Sequence, residues 1–205
     1  MNQCRTDTGN QVIRNFYDEK FRLTTKETWN IASVSNADLK QSEEYSYKGD
    51  NFSVSEKKIS LKDSEIQVLY TDNGMISEKT TYELVKDKPY ATSKIKYSYN
   101  EDDKVIQEIS VSYKYNQNYT KIIESFKKKY IYKYNEDEEI PADFEYFENN
   151  VLKMRNKYSV EKGNYTSQIF FEGGLSVKTY YEDYIRVKDV YSQNDKVIRV
   201  KEYEE

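Results

Sequence analysis

Apolar and polar residues alternate one for one along much of the chain. Ile66, Val68 and Tyr70 share one side of a run whose other side carries Glu65, Gln67 and Leu69, and Ile95, Tyr97 and Tyr99 alternate with Lys94, Lys96 and Ser98. A period of two is that of a strand whose successive side chains point to opposite faces. Turn-forming residues separate the runs: Lys48-Gly49-Asp50-Asn51, Asn116-Gln117-Asn118, Asn149-Asn150, Gly163-Asn164, Gly173-Gly174, Glu182-Asp183 and Asn194-Asp195. Asp72-Asn73-Gly74 is the strongest hairpin signal, because Asn-Gly tolerates the positive φ angles of a tight two-residue turn. Residues 76–84 form the returning strand, and Asp87-Lys88-Pro89 ends it, since proline donates nothing to a ladder. From Phe144 the spacing tightens, with runs at 144–147, 151–160, 165–171, 175–181, 184–191 and 197–203. Short runs separated by turns predict strands that pair with their sequence neighbours. The pattern predicts an all-β fold: an antiparallel meander of tyrosine-rich hairpins forming one curved sheet or a partly closed barrel, with an irregular N-terminal part.

The N-terminal part is less regular. Residues 1–10 are polar and read as a flexible tether, leaving 11–205 as a single β domain. Residues 12–23 fit either a short helix, through Val12, Ile13, Phe16, Tyr17 and Phe21, or a strand from Phe21 onward, which is preferred. Trp29 falls in a second strand and reads as core. Residues 35–44 read as a polar loop or helical turn, and Tyr45-Ser46-Tyr47 opens a strand. Lys127-Lys128-Lys129 reads as a solvated turn or strand edge that splits residues 122–134 into two strands, with a short helix over 121–129 as the alternative.

Composition narrows the chemistry. Only 37% of the 205 residues are hydrophobic, yet 15% are aromatic, including 22 tyrosines, which argues for folded rather than disordered chain. Tyrosine buries a large ring and keeps a polar tip wet, which suits a thin core. There is no histidine and one cysteine, which removes the commonest general base and any internal disulfide or Cys-rich metal site. No phosphate loop, nucleophile elbow or zinc spacing occurs. Acidic residues fall in predicted turns, where solvated charge is expected, and the 135–139 run lacks the oxygen spacing and glycine of a calcium loop. The expectation is a non-enzymatic protein with no cofactor and no metal. The net charge of −4 is spread in both signs, so nucleic acid is not an expected partner. Asn118-Tyr119-Thr120 matches a glycosylation sequon, as an Asn-rich chain does by chance. The candidate binding surface is the Tyr-x-Tyr set Tyr97, Tyr99, Tyr113, Tyr115, Tyr132 and Tyr134, a cross-strand ladder on a covered sheet or an aromatic contact surface on an open one.

Cys4, followed by the hydrophilic Arg5-Thr6-Asp7-Thr8-Gly9-Asn10, resembles the lipid-bearing first residue of a mature bacterial lipoprotein. A second resemblance rests on an aromatic, a short turn, one or two aliphatics and a closing aromatic. This pattern runs from Tyr70 to Tyr82, Tyr99 to Tyr113, Tyr134 to Tyr146, Phe147 to Tyr158, Phe171 to Tyr180 and Tyr191 to Tyr203. It resembles the degenerate hairpin repeats of bacterial cell-surface proteins, the tyrosine–aspartate repeats of the RHS type and the MORN-variant repeats. Together the two resemblances imply a cell-envelope protein with lipid on Cys4 and membrane contact only through that anchor, binding a protein, glycan or lipid or contributing to surface structure. Two other classes stay open. One is a periplasmic carrier of a lipid or other apolar ligand, lined by Ile66, Val68, Tyr70, Val105, Ile109, Val111, Val197 and Tyr203; the other is a cytoplasmic immunity-type protein that binds a toxin.

Overall fold

The computed structural model describes every residue except 1, 9–10, 34–35, 136–140, 159–162 and 204–205. It is all-β. The strands are β1 (Asn2–Thr8), β2 (Gln11–Tyr17), β3 (Leu23–Ser33), β4 (Asn36–Tyr47), β5 (Val54–Ser60), β6 (Ser64–Tyr70), β7 (Ile76–Val85) and β8 (Lys88–Tyr99), followed by β9 (Val105–Tyr115), β10 (Ile122–Lys133), β11 (Asp143–Glu148), β12 (Val151–Tyr158), β13 (Tyr165–Phe170), β14 (Leu175–Glu182), β15 (Ile185–Gln193) and β16 (Lys196–Glu202). They form one antiparallel meander sheet in strict sequence order that is not closed. Two compact units divide the chain: unit 1 is Met1–Lys96 with Ser112–Ser125, and unit 2 is Tyr97–Val111 with Phe126–Glu205.

Several segments differ from the sequence expectation for one reason: strands here form without apolar contrast. The polar N-terminus is strand β1, paired Cys4↔Asn15 and Arg5↔Arg14 with β2, rather than a free tether. Residues 12–23 contain no helix; they hold β2, a turn and the start of β3. The polar 36–44 stretch is most of β4, its Lys26↔Glu43 and Thr28↔Gln41 pairs replacing hydrophobic ones, and Tyr45 and Tyr47 close that strand instead of opening one. The lysine run neither turns nor splits: Lys127, Lys128 and Lys129 lie inside β10, with Lys128 over the Phe126 ring and Lys129 over the Phe147 ring. Pro89 lies in β8 opposite Leu84, beside the turn-closing pair Val85↔Lys88, where the alternating ladder asks no N–H of it toward β7. The acidic 136–139 run lies outside the described residues.

Turn chemistry sets the hairpins. The Asp72-Asn73-Gly74 loop is a three-residue loop rather than a two-residue one: Gly74 N–H donates to Thr71 O at 2.9 Å, Thr71 N–H to Met75 O at 2.8 Å, and only Gly74 takes a positive φ. Turn 18–22 in the same unit is built alike, with Phe21 in the positive-φ position and Asp18 Oδ1 accepting the N–H groups of Lys20 and Arg22, both at 2.9 Å. In unit 2, turn 100–104 repeats it with Asp103 at positive φ and Asn100 Oδ1 accepting from Asp102 and Lys104. Two-residue turns with both φ positive occur at Lys86-Asp87, Asn149-Asn150, Asp183-Tyr184 and Asn194-Asp195.

Most hairpins then carry a one-residue bulge on the returning strand. Thr24, Ser55 and Thr92 are the extra residues in β3, β5 and β8, and each hydroxyl donates to a carbonyl of the preceding strand, Phe16, Ser46 and Thr81 at 3.0–3.2 Å. A bulge exchanges the faces of the residues on either side of it.

Among the described residues no α-helix or second sheet covers either unit, and only Val12 (3% exposed) and Val68 (6%) are buried apolar side chains. Cover comes from tyrosine rings and from lysine and arginine stems lying on them. Two buried carboxylates organise this cover. In unit 1, Glu43 (4% exposed) takes an ion pair from Lys57, another from Lys26 at 3.3 Å, and hydrogen bonds from Tyr45 Oη at 2.6 Å and Gln41 Nε2 at 3.0 Å. In unit 2, Asp189 (0% exposed) accepts from Tyr203 Oη at 2.7 Å, Thr179 Oγ1 at 2.9 Å and Arg186 Nε at 2.9 Å. Burial pushes both carboxyls up, but the donors outweigh it and hold each at about 2.

Candidate functional site

The clearest candidate is built at one end of unit 1, beside the Lys86-Asp87 turn. Asn116 organises the loop between β9 and β10: its carbonyl accepts Tyr119 N–H at 3.0 Å, and its Oδ1 accepts Thr120 N–H at 2.9 Å and Lys121 N–H at 3.2 Å. Side-chain capture of this kind is what asparagine does in turns. The loop holds Tyr119 at φ +54°, a left-handed conformation that costs a non-glycine residue roughly 1–2 kcal/mol. In return its ring packs on two others. Tyr119 and Tyr115 stack at 5.8 Å, Tyr119 and Tyr90 lie 4.9 Å apart, and Tyr90 meets Tyr115 edge-on at 5.5 Å. Glu83, the cross-strand partner of Tyr90, accepts the Tyr119 hydroxyl at 3.0 Å, which raises that phenol's pKa. The bulge residue Thr92 sits on the same strand as Tyr90.

Two of the three rings, Tyr115 and Tyr119, border an open concavity of ≈ 460 Å³ lined by Glu83, Thr92, Tyr113, Lys114, Tyr115, Asn116, Gln117 and Tyr119. No aliphatic side chain is among them. The rings pack too closely on one another to enclose a cation; what they offer outward is aromatic face and edge, flanked by amide, hydroxyl and carboxylate groups.

The six tyrosines singled out in the sequence are divided between the two units. Tyr113 and Tyr115 belong to the unit 1 concavity. Tyr97, Tyr99, Tyr132 and Tyr134 belong to unit 2. There Tyr132 lies 5.5 Å from Phe144, and Tyr130 stacks on Tyr146 at 4.9 Å and on Phe144 at 6.0 Å. Burial raises the pKa of Tyr97, Tyr99 and Tyr132, with Glu108 adding to the rise at Tyr97 and Tyr132. Tyr134 closes a turn: its hydroxyl donates to Val105 O at 3.0 Å while Lys104 lies over its ring at 5.6 Å. Unit 1 contains the same device, Tyr47 donating to Leu23 O at 2.8 Å under the Arg22 guanidinium at 4.7 Å. Cys4 is exposed and free on β1.

Tyr90, Tyr119 and Glu83 escaped the sequence reading. Tyr119 follows no alternation because it sits in a turn, and only its placement in an Asn-rich loop hinted at anything but a sequon. The carrier lining is also divided in unit 2. The bulge at Ile198 pairs Val197 with Ser192 but Arg199 with Tyr191, so Val197 and the Asp189-bound Tyr203 face opposite sides of the sheet.

The fold and site define an open β-meander with a half-exposed aromatic concavity. No family model matches the chain, and no curated protein matches it.

Proposed function

We propose that the chain is a non-enzymatic binding protein of the bacterial cell envelope, lipid-anchored at Cys4, that engages a glycan in the unit 1 concavity. One observation carries the reading: Tyr119 is held in a strained backbone conformation to complete a three-ring cluster bordered by Asn116, Gln117, Thr92 and Glu83. Strain of this kind persists where the surroundings enforce it and clusters at functional sites. Sugar rings present apolar faces and a rim of hydroxyls, which pair with aromatic rings and with amide, hydroxyl and carboxylate groups. A lipid chain asks for aliphatic lining, which the concavity lacks. Kinship with the hairpin repeats of bacterial surface proteins belongs to the same reading.

Calorimetric titration with soluble cell-wall oligosaccharides tests the ligand class. Saturable binding that Tyr115→Ala abolishes is expected; binding that ignores Tyr115 and Tyr119 would sink the proposal. The anchor is tested separately by native mass spectrometry of the full-length product from a bacterial host, where an acyl mass on Cys4 is expected and a free thiol would remove the anchor.

A further inference from the structure

Among the described strands, β1 and β16 have a single neighbour each. Such strands present unpaired N–H and C=O groups that template a further strand. The two differ in what else they present. β1 holds no aliphatic residue, whereas all seven residues of β16 are exposed and include Val197, Ile198 and Val200. The bulge at Ile198 interrupts the ladder, so the regular part of β16 begins at Arg199. Tyr203 N–H donates to Val187 O at 2.9 Å, which sets the parity from there on. Arg199 and Lys201 bond β15, and Val200 and Glu202 turn their N–H and C=O groups to the open side.

Unpaired backbone groups ask for an extended strand, and charge selects which one. Residues 196–205 are basic at the start, with Lys196, Arg199 and Lys201, and acidic at the end, with Glu202, Glu204 and Glu205. An antiparallel strand of the same sequence therefore meets it with opposite polarity. Lys196, Arg199 and Lys201 form no ion pair among the described residues; Arg199 lies over the Tyr191 ring at 5.6 Å and Lys201 over the Tyr203 ring at 4.2 Å. A two-fold axis has to bring the outward-facing residues onto one another. Centred on Val200, it sets Arg199 against the second copy's Lys201; centred on Lys201, it sets that lysine against itself. Both place like charges directly opposite. Centred on Glu202, it sets Lys201 against the second copy's Tyr203, repeating between chains the cation–ring contact made within each. Glu202 then meets its own equivalent, each carboxylate with the Lys188 ammonium of its own chain 3.9 Å away.

We propose that β16 pairs antiparallel with β16 of a second copy of this chain, about a two-fold axis at Glu202, joining two sheets edge to edge. The contact is isologous and closed, so it yields a dimer rather than a filament. Its regular ladder is short, which puts it in the weak, transient class that buries less than about 1,200 Å². It uses no residue of the unit 1 concavity and does not involve Cys4.

The test uses the full chain with Cys4→Ser, which removes its single cysteine. Sedimentation equilibrium is expected to show the mean mass rising from one chain toward two as concentration increases. Val200→Pro removes an outward N–H that β15 does not use, so it is expected to leave the urea-unfolding midpoint in place. It is expected to weaken association by about tenfold or more. Introduced cysteines read the register. Under diamide, Glu202→Cys is expected to form a covalent dimer, because directly opposed Cα atoms lie about 5.5 Å apart. Val200→Cys lies about 13 Å along the strand from its equivalent and is expected to crosslink at least about fivefold less. A single-chain mass at every concentration, association unchanged by Val200→Pro, or equal crosslinking at 200 and 202 overturns the proposal. The two cysteine variants decide the register even where the proline lowers the unfolding midpoint.

Discussion

Tyr132 in unit 2 and Tyr115 in unit 1 are both half-buried strand tyrosines, yet their surroundings assign them different work. Tyr132 belongs to a ladder in which every ring leans on another strand's ring, Phe144 beside it and Tyr130 against Tyr146 next along. Further along the same unit, Tyr203 is tied to a carboxylate that is itself fully buried, Asp189. Around Tyr115 the partners are a loop residue, Tyr119, and an exposed carboxylate, Glu83. The difference teaches that a sheet with no second layer spends tyrosine in two ways: as cover, where ring and hydroxyl are both committed to the sheet, and as contact, where a loop holds the ring at a solvent-filled concavity.

The strongest way to break this comparison is to remove the two carboxylates. Asp189→Asn takes the charge from under Arg186, Tyr203 and Thr179 and is expected to cost about 2–3 kcal/mol in urea unfolding, less than a fully buried pair because Arg186 is half exposed. Glu83→Gln is expected to cost less than about 0.5 kcal/mol; equal losses would erase the distinction.

Truncating the rings comes next. Tyr132→Ala is expected to lose about 2 kcal/mol and Tyr115→Ala about 1 kcal/mol or less, compared by the same unfolding midpoints. Acid sharpens the picture of cover. Asp189 and Glu43 are both lowered to about 2 from ordinary values of 3.8 and 4.5. Their stabilisation is therefore full above those ordinary values and is lost as pH falls toward 2, on the order of 2 kcal/mol each. A stability profile flat from pH 5 to about 2 would show that these clusters do not hold the sheet. The smallest effect has the opposite sign: Phe21→Gly relieves a left-handed phenylalanine and is expected to raise stability by about 0.5–1 kcal/mol, measured as a higher unfolding midpoint.

Much of the fold was legible because it is local. Turn pairs such as Asn149-Asn150 and Asn194-Asp195 mark their hairpins in the sequence, and strands that pair with sequence neighbours need no long-range inference. What escaped follows from the single layer. On a strand such as β4 the covered positions hold Gln41, Glu43 and Tyr45, so there is no aliphatic alternation, only the charge pairing that Lys26↔Glu43 and Glu44↔Lys58 make visible once the register is known. Bulges at Thr24, Ser55 and Ile198 switch faces mid-strand, so parity counted from the sequence misassigns what lies beyond them. The candidate site was half legible: Tyr113 and Tyr115 stand out as a pair, whereas Tyr90 and Glu83 reach them only through the β7–β8 hairpin, and Tyr119 through a turn.

The central claim is that the Tyr115 cluster is kept for contact rather than for stability. The most direct measurement pairs calorimetric titration of soluble cell-wall oligosaccharides with urea unfolding for wild type, Tyr115→Ala and Tyr132→Ala. The account predicts that Tyr115→Ala loses binding while keeping nearly all its stability, and that Tyr132→Ala loses stability while the folded fraction still binds. Binding untouched by Tyr115→Ala, or a stability loss there equal to that of Tyr132→Ala, would contradict it.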